Sequence, residues 1–135
     1  MKRLLYLDYK SNEIHNLLHN NKRFVIRAAN IKKYPYKMIK KGYTVYFMNN
    51  NAEDIILASA TIKQTTFLEL HTSEEKEKMI KKYKDLVLLS DSKLDYVTQR
   101  KYVSIFELDN IRVENAKLDR SLYGIEEDWI RITTI

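Results

Sequence analysis

Hydrophobic positions recur every second residue in some stretches and at spacings of three and four in others, so both strands and helices are expected. Residues 4–8 begin apolar and read as a short strand. Ser11 stands where a helix N-cap belongs, and Ile14, Leu17 and Leu18 share one face of a helix reaching about Asn20. Residues 23–29 alternate, with Phe24, Ile26 and Ala28 on one face and Arg23, Val25 and Arg27 on the other. Pro35 suits a first helical turn and Gly42 the position past a helix end, so a short helix is expected over 35–41. Residues 43–48 read as a strong strand, the third along the chain, 49–54 as a polar turn, and 55 to about 70 as a long strand with room for a bend. Ile56, Ala58, Ala60 and Ile62 lie on one face of it, and Ala58, Ser59 and Ala60 leave room for a helix or a ligand to pack closely.

Thr72 and Glu75 make a capping box for a helix running to about Lys84, with Met79, Ile80 and Tyr83 turned to the core. Its first turn is acidic and its last basic, the order that complements the helix dipole, so these charges read as structural. Residues 86–89 read as a short strand, and Ser90 as the cap of a helix over 91–99 with Leu94 and Val97 inward. Strands are expected at 102–108, 111–113 and 129–135, with a turn over 121–128. Neither repeat nor linker interrupts the 135 residues, so residues 1–135 form one domain. Short helices among mostly sequential strands indicate α+β, and about six strands in so short a chain favour a small, partly closed barrel.

Composition narrows the chemistry. The chain has no cysteine, which excludes disulfides, zinc thiolates and cysteine nucleophiles. Gly42 and Gly124 are its only glycines, too few and too far apart for a phosphate-cradling loop. No stretch approaches the roughly 18 apolar residues of a membrane span. The opening residues reach Asp8 before a signal core builds up, so a cytoplasmic protein is expected.

Charge is unevenly placed. The net charge is +6, yet no acid occurs between Glu13 and Glu53. That window holds Lys22, Arg23, Arg27, Lys32, Lys33, Lys37, Lys40 and Lys41. Residues 107–131 carry an excess of acids. Phe24, Tyr34, Tyr36, Tyr43 and Tyr46 are interleaved with the basic residues. Cations release counterions from phosphates and aromatic faces stack on bases, so the combination suits single-stranded nucleic acid. A solvated basic face over buried tyrosines is the plainer reading of the same residues.

Catalytic signals are sparse. His15 and His19 share a helix face at a spacing used in zinc sites, but the Glu that would follow the first His is missing. Two exposed histidines on a polar face are the simpler account. Glu53-Asp54 lies in a turn, Glu74-Glu75 at a helix start, and Glu126-Glu127-Asp128 before Trp129. No Gly-x-Ser-x-Gly elbow surrounds any serine. No catalytic motif, metal site or cofactor site is identified.

The run from Met38 through Gly42 to Met48, followed by Ile55 through Ala58-Ser59-Ala60 to Lys63, resembles the centre of PUA-like domains, including the ASCH and EVE families. There a short helix ends at a glycine, a strand of the form x-V-x-F follows, and the next strand carries small residues before an isoleucine. The stretch from Lys82-Tyr83-Lys84-Asp85 to Ser90, with Tyr96 in the next helix, is similar to a small archaeal family of PUA-like proteins of unknown function. The resemblance implies a β pseudo-barrel of about six strands flanked by short helices, with a groove that often binds RNA or a modified nucleobase. The G-x-K-x-x-E-x-R motif of ASCH proteins is absent, since Gly42 is followed by Tyr43, Thr44 and Val45. Some ASCH relatives are amidohydrolases using a lysine, a threonine and a glutamate. That set does not map onto this chain, and the activity is not carried over.

The expectation is therefore a nucleic-acid-binding module, for RNA before DNA. Arg27, Lys32, Lys33, Lys37, Lys40 and Lys41 would contact phosphates, and Tyr34, Tyr36 or Trp129 would stack on a base. Arg27 also reads as a solvated residue, Tyr34 and Tyr36 as turn residues around Pro35, and Trp129 as core. Two other classes stay open. One is a small enzyme acting on a nucleoside or modified base. The other is a protein-interaction module whose acidic end docks on a basic partner or on a second copy, as a homodimer would.

Overall fold

The computed structural model describes residues 2–32, 36, 37 and 39–118, together with the backbone of 129–132. Its elements run β1 (Lys2–Leu7), α1 (Glu13–His19), β2 (Phe24–Ala29), β3 (Thr44–Asn49), β4 (Ile55–Glu69), α2 (Ser73–Val87), α3 (Asp91–Thr98), β5 (Tyr102–Lys117) and β6 (Trp129–Ile132). The six strands form one mixed sheet in the order β2-β5-β4-β3-β1-β6. β1 and β3 run parallel, and the other pairs are antiparallel. The expected α+β class and strand number are both met.

This sheet is not flat. Strand order sets β2 and β1 four places apart, about 19 Å in a flat sheet at the usual strand spacing. Arg27 on β2 nevertheless donates a hydrogen bond to the Tyr6 carbonyl on β1. The sheet is rolled until the two strands are one arginine apart, while its backbone ladder stays open, with β2 and β6 as its edges. Three register shifts between β4 and β5 supply the bend. One of them coincides with Asn110, which takes a φ of 49°. Asparagine tolerates that left-handed conformation better than most residues.

Leu5, Leu7, Val45, Phe47, Ile62 and Phe106 fill the concave side, and Ile14 and Leu17 of α1 close one end of it. Ala58 and Ala60 face Phe47 and Val45 across the β3–β4 ladder. Their small side chains make room for these larger neighbours, rather than for a helix or a ligand. On the convex side, Ile26, Val103 and Ile105 pack against Met79, Tyr83 and Val87 of α2 and Leu94 and Val97 of α3.

Several local expectations change. Ser11 does not cap α1. Asn12 is the N-cap, at a φ of 56° and with no side-chain cap bond. The Ser11 hydroxyl instead donates to Asp8 and lies 2.9 Å from the Ser90 hydroxyl. The strand expected over 86–89 is not formed, because α2 continues to Val87. Met79, Tyr83 and Val87 are spaced by four and make one buried stripe, so packing extends the helix. The strands expected at 102–108 and 111–113 are one strand of 16 residues. The helix expected over 35–41 lies partly outside the described residues. Its described part holds no helix, and Lys37 has a φ of 59°. The turn over 121–128 and residues 133–135 also lie outside the described residues.

Candidate nucleic-acid interface

Alternation along β4 puts Phe67 and Glu69 on one face, and antiparallel pairing sets Glu69 opposite Tyr102 at the start of β5. Tyr102 is paired on its other side with Ala29, the last residue of β2. Three strand ends therefore meet here, and Tyr36 of the connection from β2 to β3 lies against them. Ile39 from this connection is buried in the concave core. Tyr36, also from it, lies edge-on to Phe67 at 5.5 Å and to Tyr102 at 5.2 Å between ring centroids. Phe67 in turn meets Phe106 at 6.0 Å, which anchors the cluster to the core. Edge-to-face contacts of this kind hold rings in fixed orientations.

Cations surround the rings. The Lys32 ammonium is 5.7 Å from the Tyr102 centroid, and Lys101 is 5.5 Å from the same ring. Lys37 is 5.6 Å from the Tyr36 ring. All three lysines are exposed at the surface, as are Lys40 and Lys41, while Tyr36 is half-buried. Glu69 is the acid of the cluster, with Lys101 at 3.7 Å and His71 at 3.8 Å. Desolvation raises the Glu69 carboxyl, but the Tyr102 hydroxyl, His71, Lys101 and Lys32 outweigh it and hold the pKa below the ordinary glutamate value. Burial pushes the Tyr36 phenol up, and the charge of Glu69 adds to the rise. Tyr36 therefore stays neutral and can both stack and donate a hydrogen bond.

Of the residues singled out from sequence, Tyr36, Lys32 and Lys37 come together in this cluster. Lys40 and Lys41 follow along the same connection, which closes at Gly42, where the amide bonds to the Ile62 carbonyl at 2.8 Å. Gly42 has a φ of +90°, a conformation that favours glycine. Lys33 and Tyr34 lie outside the described residues. Trp129 is placed by its backbone only, at the start of β6 opposite Leu5.

Arg27 is engaged elsewhere. Besides Tyr6, its guanidinium lies 3.7 Å from Glu13, and its side chain is 10% exposed. Glu13 is wholly buried and also lies 3.3 Å from the buried Lys22 ammonium. The Asp8 amide donates to it at 2.6 Å. Lys22 donates to the Val87 carbonyl at the end of α2. Burial lowers the Lys22 pKa to about 8, against the opposing pull of Glu13. Lys22 and Arg27 thus face inward around one carboxylate, while among the described residues of the window Arg23, Lys32, Lys37, Lys40 and Lys41 are exposed.

Phe67, Glu69, Lys101 and Tyr102 were not singled out by sequence reasoning. The alternation in β4 places Phe67 beside Glu69, but nothing local links either to Lys101-Tyr102, more than 30 positions on. His15 and His19 are exposed and 4.7 Å apart between ring centroids. Among the described residues no group of three or more His, Asp or Glu could hold a metal ion. No described helix is long and apolar enough to cross a membrane.

The rolled mixed sheet, with a helix at one end and two helices on its convex face, is shared with solved structures over nearly its whole length. The crystal structure of the ASCH protein from Zymomonas mobilis aligns with 96% of this chain and 87% of that chain, at a TM-score of 0.68 and 12% sequence identity. A variant of that protein with phenylalanine in place of a tyrosine aligns with 96% of this chain and 90% of its own, at a TM-score of 0.68 and 10% identity. The chain has the ASCH fold. No family model matches the sequence, and no curated protein matches it.

Proposed function

We propose that the protein binds nucleic acid, RNA foremost, at the surface built by Tyr36, Phe67 and Tyr102. The observation that carries this reading is the ring cluster itself, held rigidly from the core outward and bordered by Lys32, Lys37 and Lys101. Fixed aromatic edges and faces receive an unstacked base, while the lysines take the flanking phosphates. Lys40 and Lys41 extend the phosphate contacts, and Lys33, Tyr34 and Trp129 belong to the same proposal from the sequence. Arg27 serves the reading indirectly, by holding β2 against β1 beneath the cluster. The usual association of the PUA-like superfamily with RNA supports the choice of ligand, as does the basic window.

The test is a titration of labelled single-stranded and duplex RNA and DNA at two salt concentrations. Wild-type protein should bind single-stranded RNA with an affinity that falls as salt rises. Lys40→Glu combined with Lys41→Glu should weaken binding and lower the salt slope by at least about 1.4, the share of two phosphate contacts on a single strand. Tyr36→Ala should cost about 1–3 kcal/mol of binding, the worth of one stacked base. Unchanged binding in both variants, or none by the wild type at low salt, overturns the proposal.

A further inference from the structure

Only six positions separate the half-buried Tyr102 from an exposed aromatic. Tyr96 is 43% exposed near the end of α3, with the Arg100 guanidinium 4.0 Å from its ring centroid and the Lys93 ammonium at 5.1 Å. The 4.0 Å separation brings the guanidinium over the face of the ring, within cation–π contact. Backbone bonds fix the base of this pair: the Gln99 amide caps α3 on the Asp95 and Tyr96 carbonyls, and the Arg100 amide bonds to Val97 at 3.1 Å. Among the described residues Arg100 has no carboxylate within ion-pair distance, whereas the charge of Lys93 also acts on Asp8. Exposed Asp91 and Asp95 also lie on α3. Asp95 adjoins Tyr96 in sequence, and neighbouring side chains on a helix diverge by about 100°.

We propose that Tyr96 and Arg100 form a second contact for the same single-stranded nucleic acid, continuing its path from the ring cluster over the end of α3. Arg100, Lys101 and Tyr102 are consecutive, so the two aromatic–cation patches are joined by one short stretch of backbone. Chain reach alone keeps the Tyr96 and Tyr102 Cα atoms within about 16 Å. At about 3.4 Å per stacked nucleotide, some five nucleotides bridge that distance. A base stacks on the exposed face of the Tyr96–Arg100 pair, and Arg100 and Lys93 hold adjacent phosphates. The inference rests on the reading of the ring cluster as a nucleic-acid site and adds a direction and a length to it.

Oligonucleotide length separates the two ideas. Labelled single-stranded RNAs of 4 and 12 nucleotides are titrated against wild-type protein, Tyr96→Ala with Arg100→Gln, and Tyr102→Leu. The 12-mer should bind the wild type more tightly than the 4-mer. The α3 variant should lose about tenfold on the 12-mer, in keeping with one stacked base, and leave the 4-mer unchanged. Tyr102→Leu should weaken both. Lys93→Gln alone should lower the 12-mer salt slope by about 0.7 and guards against an α3 variant that folds poorly. If the α3 variant and Lys93→Gln bind both RNAs as the wild type does while Tyr102→Leu weakens them, the second contact is wrong and the ring cluster stands. That result is also expected if the α3 patch serves a protein partner. If the wild type binds neither RNA, the ring-cluster reading falls and takes this inference with it.

Discussion

At the scale of single residues, the most consequential side chain is Glu13. It is wholly buried, accepts from the Asp8 amide, and balances Lys22 and Arg27. Removing it strands two cations away from water, so Glu13→Gln should destabilise the fold by about 3–5 kcal/mol in urea titrations. Glu13→Leu with Lys22→Met removes an acid and a base together and should cost less than Glu13→Gln alone. Lys22 also makes stability depend on pH. Its pKa of about 8 in the folded protein lies below the ordinary lysine value of 10.5. Between those values the unfolded chain binds a proton that the folded chain has released, so stability should rise as pH increases from about 8 to 10.5. The gain is on the order of 3 kcal/mol and should vanish in Lys22→Met, with denaturation midpoints at pH 7.5 and 10 as the readout.

At the scale of elements, the caps and bends carry the argument. The Thr72 hydroxyl accepts from the Glu75 amide at 3.2 Å, and the Glu75 carboxylate accepts from the Thr72 amide at 3.1 Å. Thr72→Ala should therefore lower stability by about 1 kcal/mol. At the other end of α2, Leu88 sits at a φ of 49°. That conformation costs a leucine about 1–2 kcal/mol, so Leu88→Gly should raise the melting temperature, less whatever packing the side chain supplies. The capping box was legible because it depends on residues three apart. The end of α2 was not, because Leu86-Val87-Leu88-Leu89 is apolar enough for either state, and only the stripe of Met79, Tyr83 and Val87 on β2 and β5 decides it. Similarly, Asp109-Asn110 looks like a turn between two strands. The long pairing with β4 absorbs it as a bulge.

At the scale of the whole molecule, rolling the sheet is what creates the candidate surface. It turns Tyr102, Phe67 and the connection after β2 toward one rim and brings Arg27 to β1. Phe106 couples that rim to the core, touching Phe67 outward and packing with the concave cluster inward. Phe106→Ala should cost about 3–5 kcal/mol of stability. It should also weaken RNA binding beyond the loss expected from unfolding, because Phe67 loses its support. Measuring affinity well below the melting temperature of the variant separates the two effects.

The sequence by itself determined the α+β class, the strands from β1 to β4, the capped starts of α2 and α3, and the basic, aromatic window, because each follows from local periodicity, capping chemistry or charge count. The match of Met38–Met48 and 55–63 to PUA-like domains added the fold. Tertiary structure alone decided which cations remain at the surface. Lys22 and Arg27 look like their neighbours in sequence, yet both turn inward because Glu13 offers a buried carboxylate there. It alone also assembled the ring cluster, since Tyr36, Phe67 and Tyr102 come from three separate stretches that meet only when β2, β4 and β5 pair.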